Sequence, residues 1–76
     1  MTWEELDEFL IKEFSFKDFK QAVEFVDKIS VIANKLNHHP NILIHSYNKV
    51  RVMSKSHDLD DITDRDYKLA QEIDKL

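Results

Sequence analysis

A chain of 76 residues without a single glycine has few ways to reverse direction. Left-handed backbone positions fall to asparagine and aspartate, the residues that tolerate them best after glycine. Asn37, Asn41, Asn48, Asp58, Asp60 and Asp61 lie where turns are expected. A glycine-rich phosphate loop is excluded. With so few places to bend, the reversals should cluster at these polar residues, and the stretches between them should form regular elements.

The apolar pattern supplies those elements. Leu10 to Phe16 alternates in its second half and reads as a strand. Trp3 to Leu6 reads equally as a short strand or a helical turn. Phe19, Ala22, Val23, Val26, Ile29, Ala33 and Leu36 follow at spacings of three and four, a helical stripe about five turns long. Ser15 and Asp18 form a candidate capping pair at its start. Phe14, Phe16, Phe19 and Phe25 are expected in the core. Pro40 ends the helical stretch and holds His39 extended. Ile42–Tyr47 and Val50–Ser54 are rich in β-formers, with Asn48-Lys49 as the reversal between them. Thr63 and Asp66 make a capping box for a last helix, with Ile62 and Tyr67 where a hydrophobic staple would lie, Leu69, Ala70 and Ile73 on its inner stripe, and Leu76 as a candidate to extend that stripe. The order predicts one α+β domain over 1–76, an antiparallel sheet with helices on one face.

Composition narrows the function. A net charge of −4 with no basic stripe argues against nucleic acid as a direct partner. No apolar run approaches the roughly 20 residues of a membrane span. The absence of cysteine excludes thiolate chemistry and disulfides, and with an N-terminus unlike a signal peptide it leads to the expectation of a cytoplasmic protein. Apolar strands such as Ile42-Leu43-Ile44 in so short a chain predict self-association.

Three of the four histidines carry the chemistry: His38 and His39, next to Pro40, and His57 downstream. Imidazole is the side chain best suited to moving protons near neutral pH. Reversal about Asn48 places His39 and His57 at equal distances from the turn, so His57 returns to the His38-His39 end of the hairpin. Asn34, Asn37, Arg65 and Asp66 are candidates to line the same pocket, although Asp66 is also fully explained as a capping acid. Without cysteine, an i,i+4 histidine pair or an HExxH motif, nothing enforces a metal site, and none is expected. His45, in mid-strand, reads as a surface or interface residue.

Phe14-Ser15-Phe16-Lys17-Asp18-Phe19, His38-His39-Pro40, Tyr47-Asn48-Lys49-Val50, Ser56-His57 and Thr63-Asp64-Arg65-Asp66 together resemble the pterin-4a-carbinolamine dehydratases, from about Trp3 to Ile73. The resemblance implies a four-stranded antiparallel sheet with helices on one face, dimers or tetramers, and no metal or organic cofactor. It implies dehydration of 4a-hydroxytetrahydrobiopterin to the quinonoid dihydropterin, in recycling of the cofactor of aromatic amino acid hydroxylases. His38, His39 and His57 fall on the family's catalytic histidines, with Asn34, Asn37, Pro40, Arg65 and Asp66 as substrate-binding candidates. A mammalian member also serves as a dimerisation cofactor of a homeodomain transcription factor. Asn34 stands where the family often has glutamate, and Asn37 where it frequently has aspartate. The helix that precedes the first strand in many members is expected to be absent, leaving two. These departures keep a second reading open, a pterin-binding or dimerisation module with weak catalysis.

Overall fold

The structure is a computed structural model and describes residues 2–76. Its elements are β1 (Glu4–Leu6), β2 (Phe9–Ser15), α1 (Phe19–Leu36), β3 (Asn41–His45), β4 (Lys49–Ser54) and α2 (Asp64–Asp74). All strand pairings are antiparallel, in the order β1-β2-β4-β3, so β1 and β3 are the edges. The α+β class and the four-stranded sheet agree with the sequence reading, and Trp3–Leu6 resolves in favour of a strand.

Alternation along the strands divides the sheet into two faces. Leu10, Val50 and Val52 are buried on the inner face, where Phe14, Ile42 and Ile44 pack against the same cluster as Ala22, Phe25, Ile29, Leu69 and Ile73 of the helices. α1 packs on β3 and β4 and against α2. α2 is tied to the other half of the sheet: the Trp3 indole N–H donates to Asp74 at 3.0 Å, Lys12 pairs with Asp74 at 2.9 Å, and the Tyr67 hydroxyl donates to Glu5. Among the described residues no helix covers the opposite face, where Glu13 and Arg51 pair across β2 and β4 and Leu43 faces Arg51 from β3.

Three expectations need correction. α1 is capped by Asp18, whose carboxylate accepts the Gln21 N–H at 2.8 Å; Ser15 ends β2 instead. The buried stripe of α1 runs Ala22, Phe25, Ile29, Ala33, which turns Phe19 and Val23 outward at 55% and 42% exposure. A helix lying on a sheet buries a narrow arc, and Phe25 occupies it with its ring tilted against those of Phe14 and Phe16, centroids 4.7 and 4.9 Å apart. The hairpin reverses over Ser46, Tyr47 and Asn48, with His45 facing Lys49, so the turn centres one residue earlier than expected. The Asn48 side chain and carbonyl are committed elsewhere: its amide donates to the Phe16 carbonyl at 2.9 Å and its carbonyl accepts the Phe16 N–H at 2.9 Å.

The glycine-free turns use more than asparagine and aspartate. Asn37 and Asp60 are left-handed, but so are Asp7, Glu8, Ser46 and Tyr47. Asp7 and Glu8, both at positive φ between Leu6 and Phe9, form a two-residue hairpin loop whose twist matches the flanking strands.

Candidate active site

The site forms where the end of α1, the start of β3, the end of β4 and the start of α2 meet. α1 ends in a Schellman motif. Asn37 turns left-handed at φ 52°, its N–H reaches the Asn34 carbonyl, and the His38 N–H reaches the Ala33 carbonyl at 3.1 Å. Asparagine fits because its side chain tolerates this backbone at little cost. The motif swings the chain away from the helix axis and delivers His38 to the N-terminus of α2.

There His38 Nε2 lies 2.6 Å from Asp66 Oδ1. Asp66 is fully buried and takes three further bonds. The Ser54 hydroxyl donates to Oδ1 at 2.5 Å, the Ser56 hydroxyl to Oδ2 at 2.9 Å, and the Thr63 backbone N–H to Oδ2 at 2.9 Å. The last of these is half of the capping box foreseen from the sequence. The capping and site roles of Asp66 are thus the same geometry: a carboxylate at the third position of the helix points back toward the N-cap and, from there, to the end of β4.

Burial pushes the Asp66 carboxyl up. The bonds from His38, Ser54, Thr63 and Ser56 outweigh it and hold the group below the ordinary carboxylate value. An ionised carboxylate only accepts, so the His38 nitrogen facing it carries the proton. In the neutral ring the lone pair is then on Nδ1, and the side chain as a whole is 10% exposed. A buried carboxylate behind an imidazole fixes the ring's tautomer and orientation and stabilises the imidazolium when a proton arrives.

His39, the neighbouring residue, is exposed, and its Nε2 lies 2.9 Å from Asn34 Oδ1 on the last turn of α1. Pro40 is partly buried and leads directly into β3. His57 is exposed and opens the loop Ser56–Asp61, which is closed by Ser56 N–H to Asp61 carbonyl at 2.9 Å, the reciprocal bond at 3.4 Å, and the left-handed Asp60. Salt bridges Lys55–Asp60 at 2.6 Å and Arg65–Asp58 at 2.7 Å clamp the loop from both sides. Arg65 therefore stands at the rim of the site with its guanidinium engaged.

Because the hairpin centres on Tyr47, continuing its ladder sets His38 opposite Ser56 and His39 opposite Lys55. His57 reaches the pair by a different route from direct opposition. It adjoins Ser56, which bonds Asp66, which bonds His38. Among the described residues no hydrogen bond joins His57 to His38 or His39. No three His, Asp or Glu side chains among them are grouped as metal ligands.

Ser54 was not singled out from the sequence, and Ser56 entered only within the Ser56-His57 motif, with no role given to it. The signal was present: Val50, Val52, Ser54 and Ser56 continue one face of β4, and a hydroxyl on a buried face requires a buried partner.

The pterin 4 alpha carbinolamine dehydratase family matches the chain over residues 1–76. The chain belongs to this family. A relative from Saccharolobus islandicus that carries the family name is 51% identical over 65 residues, covering 86% of this chain and 65% of its own length. One from Prochlorococcus marinus is 43% identical over 74 residues, 97% of this chain and 76% of its own. The chain thus spans a little under two thirds of the length of the Saccharolobus relative. Among solved structures, a transcriptional coactivator/pterin dehydratase from Brucella melitensis superposes with a TM-score of 0.88 at 33% identity, covering 96% of this chain and 79% of that one. A pterin dehydratase-like protein described as a RuBisCO assembly factor of the alpha-carboxysome shares the fold at a TM-score of 0.81 and 22% identity, over 99% and 88% of the two chains. These two solved structures share the fold of this chain under different descriptions.

Proposed function

We propose that this chain dehydrates a 4a-hydroxytetrahydropterin to the quinonoid dihydropterin, using His38 as proton carrier and His39 and His57 to orient the ring and relay protons. The observation that carries the reading is the buried Asp66 carboxylate 2.6 Å behind His38, with Ser54 and Ser56 completing its acceptor set. In the reaction the C4a–O bond breaks and the hydroxyl departs as water with a proton donated to it. The nitrogen lone pair forms the C=N bond, and the N5 proton is lost to a base. One proton enters and one leaves, so a single imidazole backed by a carboxylate can serve both transfers in turn. Arg65, Pro40, Asn34 and Asn37 border the ring's place in this reading. The role would be recycling of reduced pterin in the cytoplasm, by a chain associated with copies of itself. The uncovered edge strand β3, with Leu43 46% exposed, supports the association.

The test is addition of the protein to chemically generated 4a-carbinolamine, followed by ultraviolet absorbance. Saturable acceleration is expected. It should fall by about 10² to 10⁴ in His38→Ala, the usual contribution of a positioned acid–base group, and should fall also in His57→Ala. Pterin binding without acceleration would replace this reading with the alternative, a binding or dimerisation module. That alternative draws on the solvent exposure of His57 and on the assembly-factor description of one structural neighbour.

A further inference from the structure

His38 and His39 are adjacent and of the same residue type, yet they are held by different helices. His38 turns to α2 and meets Asp66; His39 turns to α1 and meets Asn34. Both contacts use Nε2. The partners differ in kind: Asp66 is an ionised carboxylate, and Asn34 offers a neutral amide oxygen.

We propose that Asn34 is a positioning residue that holds His39 as its Nε2–H tautomer, so that His39 presents an unprotonated Nδ1 to the bound ring as a hydrogen-bond acceptor. An amide oxygen accepts one N–H and brings no charge. It therefore fixes the tautomer without supplying the electrostatic support that Asp66 gives an imidazolium at His38. The pair is thereby divided: the carboxylate-backed ring carries the proton, and the amide-backed ring reads the ligand. A ligand that suits the site places an N–H or O–H against His39 and its departing hydroxyl within reach of His38. The catalytic meaning rests on the dehydratase reading; the tautomer does not.

Long-range ¹H–¹⁵N correlation spectra of labelled protein without ligand read the tautomer directly. The expected result is a protonated Nε2 and an unprotonated Nδ1 for His39. In Asn34→Ala the two nitrogens should move toward averaged shifts. In Asn34→Asp, which keeps an oxygen at the same place, the Nε2–H form should persist. The His38 resonances should stay put in both variants. Asn34 is exposed and alanine favours the helix, so the Ala variant should keep the fold, checked by circular dichroism. An Nδ1–H tautomer in the wild type, or an unchanged His39 spectrum in Asn34→Ala, overturns the proposal. With the carbinolamine substrate, kcat should fall by about 10-fold in Asn34→Ala with KM little changed, the scale of one lost positioning bond, and recover only in part in Asn34→Asp, whose charge also supports an imidazolium at His39. A kcat that follows neither variant while the tautomer shifts as expected would overturn the division of roles and leave the tautomer standing. Absence of dehydration in the wild type would sink the dehydratase reading without touching the spectra.

Discussion

Replacing Asp66 by asparagine removes the charge and one acceptor while preserving shape. Four hydrogen bonds end on this carboxylate, two on each oxygen. If the new NH₂ takes the Oδ2 position, it faces the Thr63 N–H. Ser56 can turn its hydroxyl to Thr63 Oγ1, already 2.6 Å away, but the backbone N–H has no other acceptor. An orphaned buried N–H costs about 1–3 kcal/mol, and the bonds from His38 and Ser54 lose their charge assistance, about 1 kcal/mol together. Relief of the buried charge's desolvation offsets part of this. The net loss should be about 2–3 kcal/mol from a total of roughly 4–11 kcal/mol for a chain this size. That corresponds to a fall in Tm of about 10–20 °C. Urea denaturation at fixed protomer concentration measures it, since association would otherwise move the midpoint. The pH dependence gives a second reading. The folded Asp66 carboxyl sits below its ordinary value of 3.8, so its stabilisation is present above that pH and is lost as pH falls through the folded value. The gap between wild type and Asp66→Asn should therefore be full at pH 7 and should narrow at pH 3. A variant within about 0.5 kcal/mol of wild type at pH 7, or a gap that does not narrow, would refute the account of Asp66 as an ionised hub, because an unsatisfied buried donor cannot be that cheap.

Ile29→Ala, at a fully buried position on the inner stripe of α1, should lose about 2–5 kcal/mol in urea denaturation, whereas Phe19→Ser on the exposed side should stay within about 0.5 kcal/mol. Glu13→Gln, in the cluster where Glu13 lies 2.5 Å from His45 and 3.3 Å from Arg51 on the uncovered face, should cost less than about 1 kcal/mol, since each partner is roughly a third exposed. The His45 hydrogen bond holds the Glu13 carboxyl below 4.5 against burial, so that small contribution should be present above pH 4.5 and fade in acid, while the dehydration rate stays unchanged.

The elements were legible where periodicity is long. Eighteen residues of α1 announce themselves through spacing, and Thr63 with Asp66 marks the start of α2. What escaped was set by contacts distant in sequence. Phe25 outranks Phe19 in the core because β2 places Phe14 and Phe16 beneath it. The hairpin turn moved because Asn48 is bonded to Phe16, 32 residues away. In the site, the histidines could be named from their type and spacing, and Asp66 from its capping pattern. That these meet at all depends on Asn37 turning left-handed, and Ser54 and Ser56 emerge only once the inner face of β4 is known to end beneath α2.

The strand order carries a consequence for how the chain finds its shape. β1 with β2 and β3 with β4 are hairpins closed by two or three residues, contacts a chain can form locally. The seam between β2 and β4 joins positions roughly 40 residues apart and runs through the centre of the sheet. Loop closure for that seam must be met before most of the inner face has anything to pack against, so it is the step expected to limit the rate of folding. The bonds between Phe16 and Asn48 sit at one end of the seam, and the junction of Ser54 with Asp66 lies at the other. The residues that assemble the site are thus among those that close the sheet, and a chain that has not zipped β2 to β4 has neither.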